Sequence, residues 1–407
     1  MKRKTKRVVI LVFVIILILF CVSIYNFISN KKILESAELA GALVTDTIPF
    51  DYSPSGHILI KIKINENDKS YPFILDSGAS NLIFSKHASQ FNLKERGASL
   101  SFGSNSRYFF ASVNQLDRIK IGDLEFKNIG LKKTEFNFSC MDYVYGVIGI
   151  GIMRQLVWQI DFEKKIIVVS TKMNNLNFSD SKIELPLSEN RISHHLKVPV
   201  KISNQDKPID VLLDLGSNTS LSLKESYIRE SSVIPDYKTI KGKSSEGLGD
   251  TDKSSEVSKY YLLDTLILGR SEYQINQVPA YANSQNINLL GLEILNKYKT
   301  TISWKDKSLI LEPYSKAPSF IWETVGFAMN FTDKAVIVAV IEGSAADKHN
   351  LVVGSEVLAI NGVSLKRDNF CSIQNSLRYR SSDTLELRIK HRGKIFNQEL
   401  IKEPIFH

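Results

Sequence analysis

The chain has 407 residues, 43% hydrophobic and 23% charged, a globular composition that excludes a disordered or fibrous protein. That length exceeds what one hydrophobic core usually serves, so two or three domains are expected. Much of the net charge of +9 sits at the start, in Lys2, Arg3, Lys4, Lys6 and Arg7; the rest lacks the basic stripe and aromatic platforms of a nucleic-acid binder, and no nucleic-acid partner is expected.

Directly after the basic cluster, residues 8–25 form an uncharged apolar run of 18 residues, which as a helix spans about 27 Å and can cross a bilayer. The positive-inside rule then keeps the N-terminus in the cytoplasm and delivers everything after Asn26 to the periplasm or cell surface. A cleaved signal peptide shares the basic start and apolar middle, but the run is long for one and no A-x-A site follows, so a retained anchor is favoured. Cys21 follows the bulky Phe20, where a lipoprotein site needs a small residue. With Cys140 and Cys371 it makes an odd, widely spaced set that yields neither a disulfide framework nor a metal pattern. One N-x-S/T sequon, Asn218 to Ser220, falls inside a turn that the pattern below marks as functional. A glycan there would obstruct it, which favours a bacterial envelope.

Residues 57–64 alternate as a strand and end in turn residues 65–68. An apolar strand then runs into Asp76, with Gly78 two residues on and a fresh apolar run behind it: residues 73–85 read FILDSGASNLIFS. The phrase returns 138 residues later as VLLDLGSNTSLSL, residues 211–223, around Asp214 and Gly216. Ile64 precedes Asp76 by 12 residues, and Ile202 precedes Asp214 by 12. Strands closed by a Gly turn follow in both copies, at 116–122 and 263–269, and then apolar segments around Gly149 and Gly291. Each copy closes with a hairpin, 158–169 and 301–311. The halves are expected to be two copies of one mostly β lobe, each holding a carboxylate on a tight turn at the end of a buried strand. Gly146 to Gly151 lacks the Lys-Ser or Lys-Thr of a phosphate loop, residues 250–253 lack the Gly and Glu of an EF-hand, and residues 243–258 read as a hydrophilic loop. His194 and His195 stand in a strand pattern without a metal motif.

These paired turns make residues 48–313 resemble a two-lobed aspartic protease of the pepsin and retropepsin class. The resemblance implies Asp76 and Asp214 as the catalytic pair, on turns formed by Ser77, Gly78, Ala79 and by Leu215, Gly216, Ser217. Two carboxylates about 3 Å apart share one proton, so one can deprotonate a water while the other hydrogen-bonds the peptide carbonyl. Gly at the second position is expected to allow a backbone conformation that a side chain hinders. One departure stands out: the family usually has Thr or Ser after each Asp, bonding across to the opposite lobe. Ser77 can do this and Leu215 cannot. Residues 102–108 are the candidate flap over the cleft.

After a short linker the chain resembles a PDZ domain. The carrying residues are Val325, Gly326, Phe327 and Ala328, then 336–340, and the run 350–363 with Gly354, Asn361 and Gly362. The loop 325–328 would capture a peptide C-terminus, unless another part of the chain fills the groove. The expected organisation is a basic anchor (1–30), a linker (31–47), two protease lobes (48–180 and 181–315) and a PDZ domain (318–405). The expected function is a membrane-anchored aspartic endopeptidase acting on peptide or protein, with no cofactor and no metal. The alternative is a weak or inactive protease-like scaffold that binds peptides through the PDZ groove and the inter-lobe cleft.

Overall fold

The helix Lys2–Leu34 opens the chain, and none of its apolar span is buried against the rest of the protein. The computed structural model describes residues 2–42, 45–103, 108–136, 140–202, 205, 207–231, 233–243, 257–269, 273–283, 287–314, 320, 323–379 and 383–406. Among these, this is the one helix long and apolar enough to cross a bilayer. Everything after it is mostly β; the whole chain is 50% strand and 17% helix.

Residues 31–47, expected as a linker, instead carry the last turn of this helix and the strand Glu38–Ala40. The helix end is bound to the body. Asn30 Nδ2 donates to the Ala98 carbonyl at 2.6 Å, Ser36 Oγ to the Asn128 carbonyl at 2.6 Å, and an Arg154 guanidinium nitrogen to the Glu35 carbonyl at 3.2 Å. Glu35 Oε1 also lies 3.0 Å from His194 Nε2. Glycines make the approach possible, since a Cβ at Gly130 would overlap the Ile33 carbonyl and one at Gly97 would meet the Asn30 amide at 2.7 Å.

The body is built on two 14-stranded sheets. In the first half, the strand Ile58–Ile64 alternates its Ile side chains inward at 0–1% exposure. Each such Ile contributes roughly 1.5–3 kcal/mol of burial. Leu196, Val198, Val200 and Ile202 do the same in the second half. One pairing pattern then occurs twice. Ile58–Ile64 pairs antiparallel with Ser70–Leu75, which runs parallel to Gly146–Ile148, which pairs antiparallel with Leu82–Phe84. Correspondingly, Leu196–Ile202 pairs with Ile209–Leu213, that strand runs parallel to Leu289–Leu290, and this pairs with Leu221–Lys224.

The closing hairpins join the halves. Val157–Asp161 pairs antiparallel with Tyr298–Ser303, and their partners Ile166–Ser170 and Ser308–Pro313 flank them. Thr45–Tyr52 and Ile183–Pro186 complete this layer symmetrically. One apolar cluster runs through both halves, with Trp158 fully buried and its indole N–H donating to the Met153 carbonyl at 2.8 Å.

The C-terminal module has its own core around Ile337, Val357, Phe370, Leu387 and Leu400. Its strand Ala335–Ile341 pairs with Tyr237–Gly242, which continues the second sheet into the module. Cys140 and Cys371 are joined by a disulfide between the first half and the module's helix Arg367–Tyr379. Cysteine spacing predicted no bridge; the partners stand 231 residues apart and meet only through packing of the module onto the body. The linker 315–318 and most of the loop 243–258 lie outside the described residues.

Candidate active site

Asp76 closes the strand Ser70–Leu75, and its amide donates to the Ile148 carbonyl at 3.0 Å. Asp214 closes Ile209–Leu213, with its amide donating to the Leu290 carbonyl at 3.0 Å. Gly149 and Gly291 follow these carbonyls, and a Cβ on either would collide with the backbone of the Asp turn above, at Ala79 and Thr219. The buried strand thus passes directly beneath each turn, which is why both copies carry Gly there.

The turns face each other. Gly78 N–H donates to Asp76 Oδ1 at 2.6 Å and Gly216 N–H to Asp214 Oδ1 at 2.8 Å. A Cβ on Gly78 would sit 2.6 Å from Asp214 Cγ, and one on Gly216 would collide with the Asp76 carboxyl. Neither glycine has a positive φ. Their requirement is therefore space for the opposite carboxyl, not the unusual backbone conformation expected from sequence. The two carboxyls therefore face each other across the junction of the turns, and the Ser217 amide donates to the Asp214 main-chain carbonyl at 3.4 Å. Burial, then the neighbouring Asp214, raises Asp76 well above the ordinary carboxyl value of 3.8. Burial raises Asp214 too, opposed by the hydrogen bonds from Asp76 and Gly216 and by the nearby His195. The pair accordingly holds a shared proton beyond the usual carboxylate range.

Ser77 is fully buried between the turns. Its Oγ donates to the Leu213 carbonyl at 2.7 Å and accepts from Leu215 N–H at 2.9 Å. Leu215 packs into the main apolar cluster and returns no side-chain bond. The crossing is one-sided. Ser217 Oγ stays within its own turn, 2.9 Å from Thr219 Oγ1.

Two histidines reach the turns from the opposite half, a role that sequence inspection missed. His195 Nε2 lies 2.8 Å from the Gly78 carbonyl and donates to it, while Nδ1 contacts Ser193 Oγ at 2.7 Å. Burial lowers the His195 pKa. His57 Nδ1 lies 2.8 Å from Ser55 Oγ, and its ring meets the Asn218 side-chain amide, whose nitrogen is 3.2 Å from Nε2. The signal was present in the register, for His57 and His195 each stand 19 residues before an Asp. His194 is engaged with Glu35 and Glu189 instead. Among the described residues no group of three or more His, Cys, Asp or Glu could hold a metal ion.

Asp76, Gly78, Ala79, Asp214, Gly216 and Ser217 line a cleft of ≈ 2430 Å³. Small-molecule pockets hold about 300–1,000 Å³, so the space suits a polymer. Gly103 of the candidate flap and its flanking residues Ser101, Phe109 and Phe110 border it, whereas residues 104–107 lie outside the described residues. Val325, Phe327 and Ala328 line another wall of the same cleft. Gly326, at φ +84°, turns toward Ser344; its N–H donates to Thr324 Oγ1 at 3.1 Å and its carbonyl accepts from Ile341 N–H at 2.8 Å.

No protein-family model matches the chain, and no curated protein matches it. Its chemistry therefore rests on its own residues.

Proposed function

We propose that the protein is a membrane-anchored aspartic endopeptidase with Asp76 and Asp214 as its dyad. The observation that carries this is a pair of buried carboxyls facing each other on equivalent turns from the two halves, at a cleft large enough for a polypeptide. Asp214, the ionised member, takes a proton from a water lying between the carboxyls, and that water's oxygen attacks the scissile carbonyl carbon. Asp76 gives its proton to the carbonyl oxygen, producing a gem-diol. Collapse then moves the proton held by Asp214 to the leaving amine and returns a proton to Asp76, so the pair ends as it began. Both raised pKa values favour a working range extending from acid toward neutral pH.

The two halves are read as the lobes of a pepsin or retropepsin-like fold. The C-terminal module is read as a PDZ domain whose groove lies between the strand Phe327–Phe331 and the helix Arg367–Tyr379. Gln374 Nε2 reaches the Met329 carbonyl at 3.5 Å across that groove, and Cys140 belongs to the same apolar cluster as Met329 and Phe370. The body is assigned to the extracytoplasmic side, with the N-terminus cytoplasmic. The Cys140–Cys371 disulfide supports this, because such bonds persist in oxidising compartments.

A peptide-binding scaffold with little activity is favoured by one feature, the missing hydroxyl at Leu215, so that only the first Asp turn sends a hydroxyl bond from the residue after its Asp across to the other. Full-length protein in detergent, given a mixed peptide library from acid to neutral pH, separates the two. The protease is expected to cleave, and Asp76→Ala and Asp214→Ala to lose at least about 10²–10⁴-fold. Equal cleavage by the variants, or none by the parent while peptides still bind, would leave the scaffold.

A further inference from the structure

We infer that the cleft takes the juxtamembrane segment of a membrane-tethered polypeptide and cuts it close to the bilayer. This rests on the endopeptidase function proposed above and adds its substrate class. The helix Lys2–Leu34 is continuous from the apolar span into the body. Its residues Ser23, Asn26, Phe27 and Asn30 line the same cleft as Asp76 and Asp214. Asn30, nine-tenths buried and bonded to the Ala98 carbonyl, stands five residues beyond Tyr25, where the apolar run ends. At 1.5 Å per residue that is about 8 Å along the helix axis. The anchor is thus a wall of the cleft, and no flexible tether lets the body stand away from the lipid.

A second observation points the same way. The strands Lys94–Phe102 and Tyr108–Ile121, against which the helix end packs, expose Leu100 and Phe110, the latter at 82%. These two are cross-strand partners. Exposed Phe and Leu side chains beside the exit of a span can bury their apolar surface at the headgroup and acyl boundary. A polypeptide that enters along this wall must leave the bilayer within about 8 Å, two or three extended residues, of the cleft mouth. A soluble chain gains nothing from that position, while a second anchored chain is held at high effective concentration.

The test uses the full-length chain in lipid vesicles. A cleavable sequence from the library is placed about 5 or about 40 residues from a single-span anchor in the same vesicles, or supplied as a free peptide. Effective concentration falls roughly as the −3/2 power of tether length, so the near site is expected to be cut about tenfold or more faster than the far one. Equal rates for near, far and free substrates overturn the proposal and leave the dyad standing. Cleavage of none of the three removes the endopeptidase function and the proposal with it. A measurement independent of proteolysis uses Phe110→Trp in vesicles of lipids brominated near the headgroup end of the acyl chains. Fluorescence quenched beyond that of the unsubstituted protein is expected; quenching equal to the parent's overturns the membrane placement.

Discussion

At Asp76, burial against a second carboxyl means that the site carries a stability penalty for its own charge. As pH rises past the ordinary carboxyl value of 3.8, the unfolded chain releases the Asp76 proton while the native chain keeps it. Native stability therefore falls with pH until the raised native pKa is passed. Asp76→Asn carries no such term. Thermal unfolding should show this variant more stable than the parent at neutral pH, with the gap closing below about pH 4; a pH-independent gap would contradict the assignment. Ser77 acts in the opposite sense, since its hydroxyl satisfies a buried carbonyl and a buried amide of the other half. Ser77→Ala strands both groups, at about 1–3 kcal/mol each. Denaturant unfolding should register the loss, peptide cleavage should fall with it, and Ser77→Thr should restore both. The Ser77 and Leu215 asymmetry was legible in sequence, as the residues following the two Asp positions. The cross-bond from Ser77 was expected from the resemblance, while its particular partners, the Leu213 carbonyl and the Leu215 amide, appear only once the halves meet.

Among the elements, the N-terminal helix departs furthest from expectation. Its apolar span was plain from composition, whereas its extension to Leu34 and its docking depend on Gly97 and Gly130, glycines that a strand pattern does not explain. Gly130→Ala should push the Ile33 carbonyl away and release Asn30 and Ser36 from their strand partners. Hydrogen exchange should then accelerate at residues 30–40 and in Lys94–Phe102, while the amide of Asp214 stays protected. Strands and hairpins were far easier to anticipate. Alternation in 58–64 and 196–202 dictates which side chains face inward, and a shift of one residue would turn every Ile or Val to the solvent.

Across the whole molecule, the C-terminal module is held by a short strand pairing, an ion pair of 2.7 Å between Lys241 and Asp347, and the Cys140–Cys371 disulfide. The disulfide fastens the module's helix to the rim of the cleft, since Cys140 and Gln374 both line it. Removing a native disulfide typically costs about 2–5 kcal/mol. Cys140→Ser with Cys371→Ser should lower the unfolding temperature by the corresponding amount, and mild reductant should reproduce the shift in the parent and leave the double variant unmoved.

Local pattern was enough for the span, the strands, the tight turns and the two Asp positions, because side-chain periodicity and turn chemistry act over a few residues. The duplication added the relation between the copies, down to a shared offset for His57 and His195. That these histidines touch the opposite Asp turn, that two cysteines 231 residues apart are bonded, and that the N-terminal helix forms a wall of the cleft was decided by packing. Each joins residues distant along the chain, and such contacts exist only once buried apolar faces have brought separate elements together.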